Sequence, residues 1–228
     1  MTTMTERPIV FVGSSLPITE ARDLFPEFEV YPPIRAGDLR VLDRRPAIVA
    51  VIDGLFFMAA SISCFEIMPL LKDGVQVLGG ASMGALRAVE LRSYGMHGLG
   101  RVYKWYLNGW LEDESAVAVA VHPDTFTSMS IPLVNVYYVL RLLQRHPGWR
   151  AEWTRCIKRT ARSIYFAERT GDALRSALNG RLPDDAGTLL VEYLLDPAKD
   201  LKRLDAMAVL EEGRRLWLAN GDSNGNGS

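Results

Sequence analysis

Val75-Gln76-Val77-Leu78-Gly79-Gly80-Ala81-Ser82-Met83-Gly84-Ala85 is the stretch that decides how this chain folds. Residues 75–78 are a short apolar run of strand type, and residues 85–94 read as a helix. Between them, Gly80-Ala81-Ser82-Met83-Gly84 spells G-x-S-x-G. A serine on a tight strand-to-helix turn projects its hydroxyl outward, and the glycines permit a strained backbone and close approach of neighbouring chain. Backbone N–H groups at the start of the helix can stabilise a developing oxyanion. The same run also suits a turn that only packs tightly, or one that holds a phosphate.

Three more strand signals precede it: apolar runs at 9–12 and 47–52 and a weaker one at 28–31, stopped by Pro32-Pro33. Continuous apolar strands separated by helical segments imply a parallel sheet covered on both faces. Right-handed crossovers then bring the strand C-termini to one edge, where such folds bind ligands. That edge collects Gly13, Ser14 and Ser15, then Asp53 and Gly54, then the serine turn. The expected fold is α/β, a mainly parallel sheet of about four to five strands flanked by helices. An all-helical C-terminal part follows. The expected division is an α/β core over 1–124, a helical region over 125–218 and a disordered, Gly/Asn/Ser-rich tail over 219–228.

Residues 59–72 have a broad apolar face, which Pro69 should kink or end. In the helix after the serine turn, Arg87 and Glu90 are three apart and share a face. They suit a surface pair or the lining of the serine site. A Gly-rich break at 95–100 leads to a helix over 101–108. Residues 116–121 resemble another short strand, closed by His122-Pro123. Ser130 reads as the N-cap of a helix with Pro132 in its first turn.

The chain has 228 residues, 48% of them apolar and 23% charged, as expected of an ordinary globular protein. It shows no apolar run long enough to span a bilayer and no secretory signal pattern at 1–8. Cys64 and Cys156 read as free thiols, and with no metal-ligand cluster in the sequence the chain is expected to be cytoplasmic, without metal or cofactor. A net charge of −1 gives no reason to expect nucleic acid as a partner. Yet between Arg141 and Arg181 ten basic residues face only Glu152, Glu168 and Asp172. That run suits a solvated helix face or a docking surface for an acidic protein or peptide.

A serine nucleophile needs a base. Of the three histidines, His146 has no evident role, while His97 and His122 lie nearer the serine in the chain. Lys72 and Lys104 are the nearby lysines, and Asp53 ends a central strand, where an orienting carboxylate would sit. A dinucleotide fold is excluded because Gly13 opens no G-x-x-G and no acid ends the second strand; no Walker A motif occurs.

Several motifs together resemble the TfuA-like family. They are Phe11-Val12-Gly13-Ser14-Ser15-Leu16-Pro17, Tyr31-Pro32-Pro33 with Gly37-Asp38-Leu39, and Ile52-Asp53-Gly54 followed by Glu66-Ile67. The most specific is Gly80-Ala81-Ser82-Met83-Gly84-Ala85-Leu86-Arg87-Ala88 with Glu90-Leu91, followed by Tyr94-Gly95-Met96, Gly98-Leu99-Gly100, Asp113-Glu114 and Val117-Ala118-Val119. The resemblance covers residues 9–135. It implies an accessory protein of YcaO-type enzymes in peptide backbone thioamidation. Such a protein would release sulfur from a thiocarboxylated, ubiquitin-like carrier of the ThiS type, and would need no nucleotide or metal itself. The precursor peptide would be a further partner.

The resemblance implies Ser82 as nucleophile, with oxyanion donors at the Met83 N–H and the Ser14/Ser15 loop, and Asp53, Glu66 and Arg87 orienting or binding. It also exposes a departure. Members of the family commonly carry a lysine directly before the Glu-Ile pair, often after a histidine; here Phe65 and Cys64 stand in those places. A phenyl ring accepts no proton, so Lys72 or His97 must substitute, or the chain is a non-catalytic adaptor for carrier, peptide or YcaO-type enzyme. Ser14 also replaces a proline usual in the first loop.

Overall fold

The computed structural model describes residues 7–42, 46–56 and 60–225. Its first half alternates β1 (Ile9–Phe11), α1 (Ile18–Leu24), β2 (Glu29–Tyr31), β3 (Ile48–Val51), α2 (Cys64–Lys72), β4 (Gln76–Gly79), α3 (Met83–Leu91), β5 (His97–Gly98) and α4 (Gly100–Leu107). The second half is helical: α5 (Leu133–Leu143), α6 (Ala151–Ser163), α7 (Gly171–Leu178), α8 (Asp184–Leu195) and α9 (Leu201–Gly225). The strands form one five-stranded parallel sheet in the order β2-β1-β3-β4-β5.

The period-two alternation of strand side chains sorts the core into two faces. Ile9, Phe11, Val49, Val51 and Val77 point to one face, where Ile67 of α2 and Met83, Ala88 and Leu91 of α3 cover them. Val10, Ile48, Ala50 and Leu78 point to the other, under Ala21 of α1 and Ala206, Val209 and Leu210 of α9. A further cluster joins Ala85 and Leu86 to Val102 of α4 and to the helices α5 to α8. The last helix therefore crosses back from the helical layer to the sheet. It continues to Gly225, past the start of the Gly/Asn/Ser-rich run.

The fifth strand is a correction. It is His97–Gly98, inside the Gly-rich break, and not residues 116–121. Met96 follows the left-handed Gly95 and its N–H bonds Leu91 O, which lays the next two residues alongside Leu78 and Gly79. Residues 114–116 form a 3-10 turn that Asp113 caps through the Ser115 N–H, and Ala116 and Val117 are buried in the helical cluster. Only Val121 makes a bridge, antiparallel to Ser128. An apolar run of that length fits a buried loop as well as a strand.

Two helix starts also differ from expectation. Helix α2 begins at Cys64, because the Ser63 N–H and hydroxyl both donate to Oε1 of Glu66 three residues on. It runs through Pro69 to Lys72, so the proline removes a backbone donor without stopping the helix. Helix α5 takes Pro132, not Ser130, as N-cap. The buried Ser130 hydroxyl instead accepts from the Ala120 N–H at 2.9 Å.

Asp205 of α9 supplies the cap that α4 lacks in its own sequence. Its two oxygens accept from the Arg101 N–H (2.9 Å) and the Val102 N–H (2.7 Å). A Cβ on Gly100, whose φ is +87°, would lie 2.3 Å from the Asp205 carboxyl carbon, so only glycine lets the carboxylate this close. Burial pushes the Asp205 carboxyl from 3.8 up to about 6, against those two N–H bonds and the nearby Arg101 and Lys104.

The sign of the linkage follows. Between these two values the folded protein holds a proton the unfolded chain has released, so stability falls as pH rises through that window. The fall amounts to roughly 3 kcal/mol and levels off above it. Urea melts of wild type and Asp205→Asn across this range should show the wild-type advantage shrinking by that amount. A difference independent of pH would refute it.

Candidate active site

Three loops at the C-terminal edge of the sheet and one helix build the site. After β4 the chain turns sharply: Ala81 adopts φ +62°, and Ser82 has φ −135° and ψ −122°. The strained left-handed residue is therefore the alanine beside the serine. The Gly80 N–H bonds Val51 O (3.3 Å) and the Gly84 N–H bonds Ile52 O (3.2 Å), stitching the turn to the end of β3. Gly84 is the closest approach in this region, since a Cβ there would lie 1.7 Å from Val51 O. The glycine of the motif is needed for helix-to-strand contact.

The serine side chain does not project outward as expected; Ser82 is 1% exposed. Its hydroxyl has no hydrogen-bond partner among the described residues, nor is any polar side-chain atom among them both fully buried and unpartnered, so the hydroxyl keeps some contact with solvent. The Met83 and Ser14 N–H groups also have no acceptor among the described residues, whereas the Ser15 N–H is committed to Asp53.

Asp53 is the hub of the edge. It is 1% exposed, and its carboxylate accepts from the Gly13 N–H (2.9 Å), the Ser15 N–H (2.8 Å), the Ser14 hydroxyl (2.8 Å) and the Ser15 hydroxyl (2.7 Å). One strand of the sheet is thus tied to the next through a single side chain. Gly54 packs against the Met83 side chain, which keeps Asp53 beside the serine turn.

Above Asp53 lies a residue that the sequence did not point to. Lys202, in the first turn of α9, is 2% exposed. Its Nζ donates to Ser14 Oγ (3.1 Å) and to the Val117 carbonyl (3.2 Å) and stands 3.6 Å from Asp53 Oδ1. Its backbone N–H is held by buried Asn135 Oδ1. Burial lowers the Lys202 pKa, because desolvation of the ammonium outweighs the attraction of Asp53. Burial thus favours the deprotonated amine, the form of a lysine that can accept a proton. Ser14 also lines two cavities, of 330 and 450 Å³. The smaller is walled by Phe56, Val119 and Phe166, and the larger reaches Lys202.

The other residues singled out in the sequence lie elsewhere. Lys72 is exposed at the last turn of α2, just before β4 begins, and so at the opposite edge of the sheet from Ser82. His97 is exposed on β5, and no hydrogen bond joins either residue to Ser82. Neither His122, whose Nδ1 accepts from the Asp124 N–H, nor His146, paired with the Pro147 carbonyl, touches it.

Glu66 accepts from the Gly37 N–H at 2.6 Å and stands 3.6 Å from Arg40, locking the start of α2 to a turn. Arg87 donates to Ile62 O (2.8 Å) and to Glu90 (2.5 Å), and Glu90 accepts from the Cys64 thiol. These contacts clamp α3 to the segment leading into α2, apart from Asp53 and Lys202. Burial and Glu90 push the Cys64 thiol up to about 11, which keeps it a thiol and a poor nucleophile. Phe65 is 83% exposed on α2.

A family model described as TfuA-like protein matches residues 53–170, just over half of the chain. The chain belongs to the TfuA-like family. The match takes in Asp53, Glu66, Ser82 and Arg87, and it runs further into the helical layer than the resemblance drawn from motifs. This TfuA-like chain completes its edge with Ser14, Ser15 and Lys202, which lie outside the matched residues. No curated protein matches the chain. Among the described residues no cluster of His, Cys, Asp and Glu is placed to hold a metal, and no helix is long and apolar enough to cross a membrane.

Proposed function

We propose that this TfuA-like protein serves a YcaO-type enzyme in peptide backbone thioamidation by hydrolysing the thiocarboxylate of a ThiS-type carrier. The observation that carries the reading is the buried Lys202 side chain, its pKa lowered by burial, held by Asp53 and Ser14 at the sheet edge that also carries the Ser82 turn. Ser82 Oγ attacks the carbonyl carbon of the thiocarboxylate and Lys202, in the deprotonated form that its burial favours, takes the proton. The Met83 and Ser14 N–H groups meet the oxyanion. The C–S bond breaks as Lys202 returns the proton to sulfur, which leaves as hydrosulfide. Water then cleaves the acyl-serine, yielding the carrier carboxylate and one proton and restoring the hydroxyl.

A second reading, a non-catalytic adaptor for carrier, peptide or enzyme, draws on one observation: among the described residues no amine or imidazole hydrogen-bonds the Ser82 hydroxyl.

Sulfide release from a thiocarboxylated carrier separates the two. Ser82→Ala and Lys202→Met should each lower the rate by at least about 100-fold while leaving the circular dichroism spectrum unchanged. Phe65→Lys, on an exposed face, should leave it unaltered. Loss in Ser14→Ala with activity kept in Ser82→Ala would move the attack to Ser14. No release by wild type, with thioamidation still stimulated, would establish the adaptor.

A further inference from the structure

Away from the sheet edge, a groove of 610 Å³ runs between α4 and α5. Two basic pairs face it: Arg101 and Lys104, one turn apart on α4, and Arg141, in the last turn of α5, with Arg145 in the turn that follows it. All four are exposed, none forms an ion pair among the described residues, and no carboxylate lines the groove. Buried Asp205, whose charge reaches Arg101 and Lys104, has both oxygens occupied by backbone N–H groups of α4.

Aromatic rings hold two of the three guanidinium groups in place. Arg101 lies 5.0 Å from the Tyr138 ring centroid, and Arg141 lies 4.9 Å from Trp110 and 5.9 Å from Trp105. Stacking of this kind fixes the plane of a guanidinium and leaves its N–H edge free for a carboxylate. Trp110, 67% exposed, supplies apolar surface at the rim.

We propose that this groove is the docking site for a short acidic segment of a polypeptide. Charge complementarity sets the sign of the occupant. Length sets its size: α4 has eight residues, about 12 Å, which an extended segment of about four residues spans. A single-stranded nucleic acid fits less well. Arginines already stack on the Tyr138 and Trp110 rings it would use, and the chain as a whole carries a net charge of −1. The groove lies apart from Ser82 and Lys202, so the inference does not rest on the serine chemistry.

Fluorescence anisotropy of fluorescein-labelled hexaglutamate on the full chain tests it, with hexaglutamine and labelled hexathymidylate as comparisons. Hexaglutamate should bind, weaken as salt rises, and lose at least about tenfold in affinity in Arg141→Glu/Arg145→Glu. The same reversal on α6, Arg155→Glu/Arg159→Glu, should change affinity less than about twofold. Equal losses in the two variants would mean diffuse charge and overturn the site. Hexathymidylate binding as tightly as hexaglutamate, or no hexaglutamate binding at low salt, would overturn the occupant.

Discussion

Asp53→Ala is expected to destabilise the protein by about 3–5 kcal/mol at neutral pH. The substitution strands Lys202, 2% exposed, without its counter-charge. It also removes the acceptor of four hydrogen bonds from Gly13, Ser14 and Ser15. Breaking one side of a buried ion pair costs more than the pair contributes, because the surviving charge stays desolvated. The double variant Asp53→Ala/Lys202→Met should therefore recover a substantial part of the loss. The burial-lowered pKa of Lys202 adds a pH signature. Above its folded-state value the native amine is neutral while the unfolded lysine still binds a proton, so the stability of Asp53→Ala should rise with pH toward the unfolded value near 10.5. Urea melts of the single and double variants at neutral and alkaline pH test this. Additive losses in the double variant would show that the two side chains do not interact.

Gly84→Ala should be the most damaging single methyl in the chain, at more than about 4 kcal/mol, with little soluble protein recovered. The added carbon would meet Val51 O at 1.7 Å and the Val51 carbonyl carbon at 2.6 Å. These are backbone atoms of a central strand, which no side-chain rotation relieves. To relieve the clash α3 must lift off β3, breaking the Gly84 N–H bond to Ile52 O and displacing the Ser82 turn. Gly187 of α8 is the control: a Cβ there meets nothing within 4 Å, so alanine should stabilise by roughly 0.5–1 kcal/mol. Thermal melts of both variants decide it; similar melting temperatures would remove the argument from close approach.

The strands β1 to β4 were legible because each is a short, mainly apolar run stopped by a glycine, proline or aspartate, a purely local pattern. The serine turn was legible for the same reason, as was the topological edge that gathers Ser14, Asp53 and Ser82. The Ser63–Glu66 capping box, a local S-x-x-E signal, would have placed the start of α2. Strand β5 was not readable, since two residues become a strand only when β4 offers its free edge.

Lys202 is the clearest case. It sits in the first turn of the last helix, 188 residues from the serine it bonds. Nothing local distinguishes it from a surface lysine. Its burial and lowered pKa exist only because α9 packs its Ala206, Val209 and Leu210 onto the sheet and carries the first turn over Asp53. The basic groove divides in the same way: Arg141 and Arg145 belong to a visible charge run, whereas Arg101 and Lys104 join them through packing.

By itself, then, the sequence determined the α/β class, the edge where chemistry would gather, the serine turn and the family. Hydrophobic period, glycine geometry and motif order act over a few residues. Only the tertiary structure decided which charged groups share that edge. Burial against distant elements sets whether a lysine is a solvated cation or a desolvated amine held between Asp53 and Ser14.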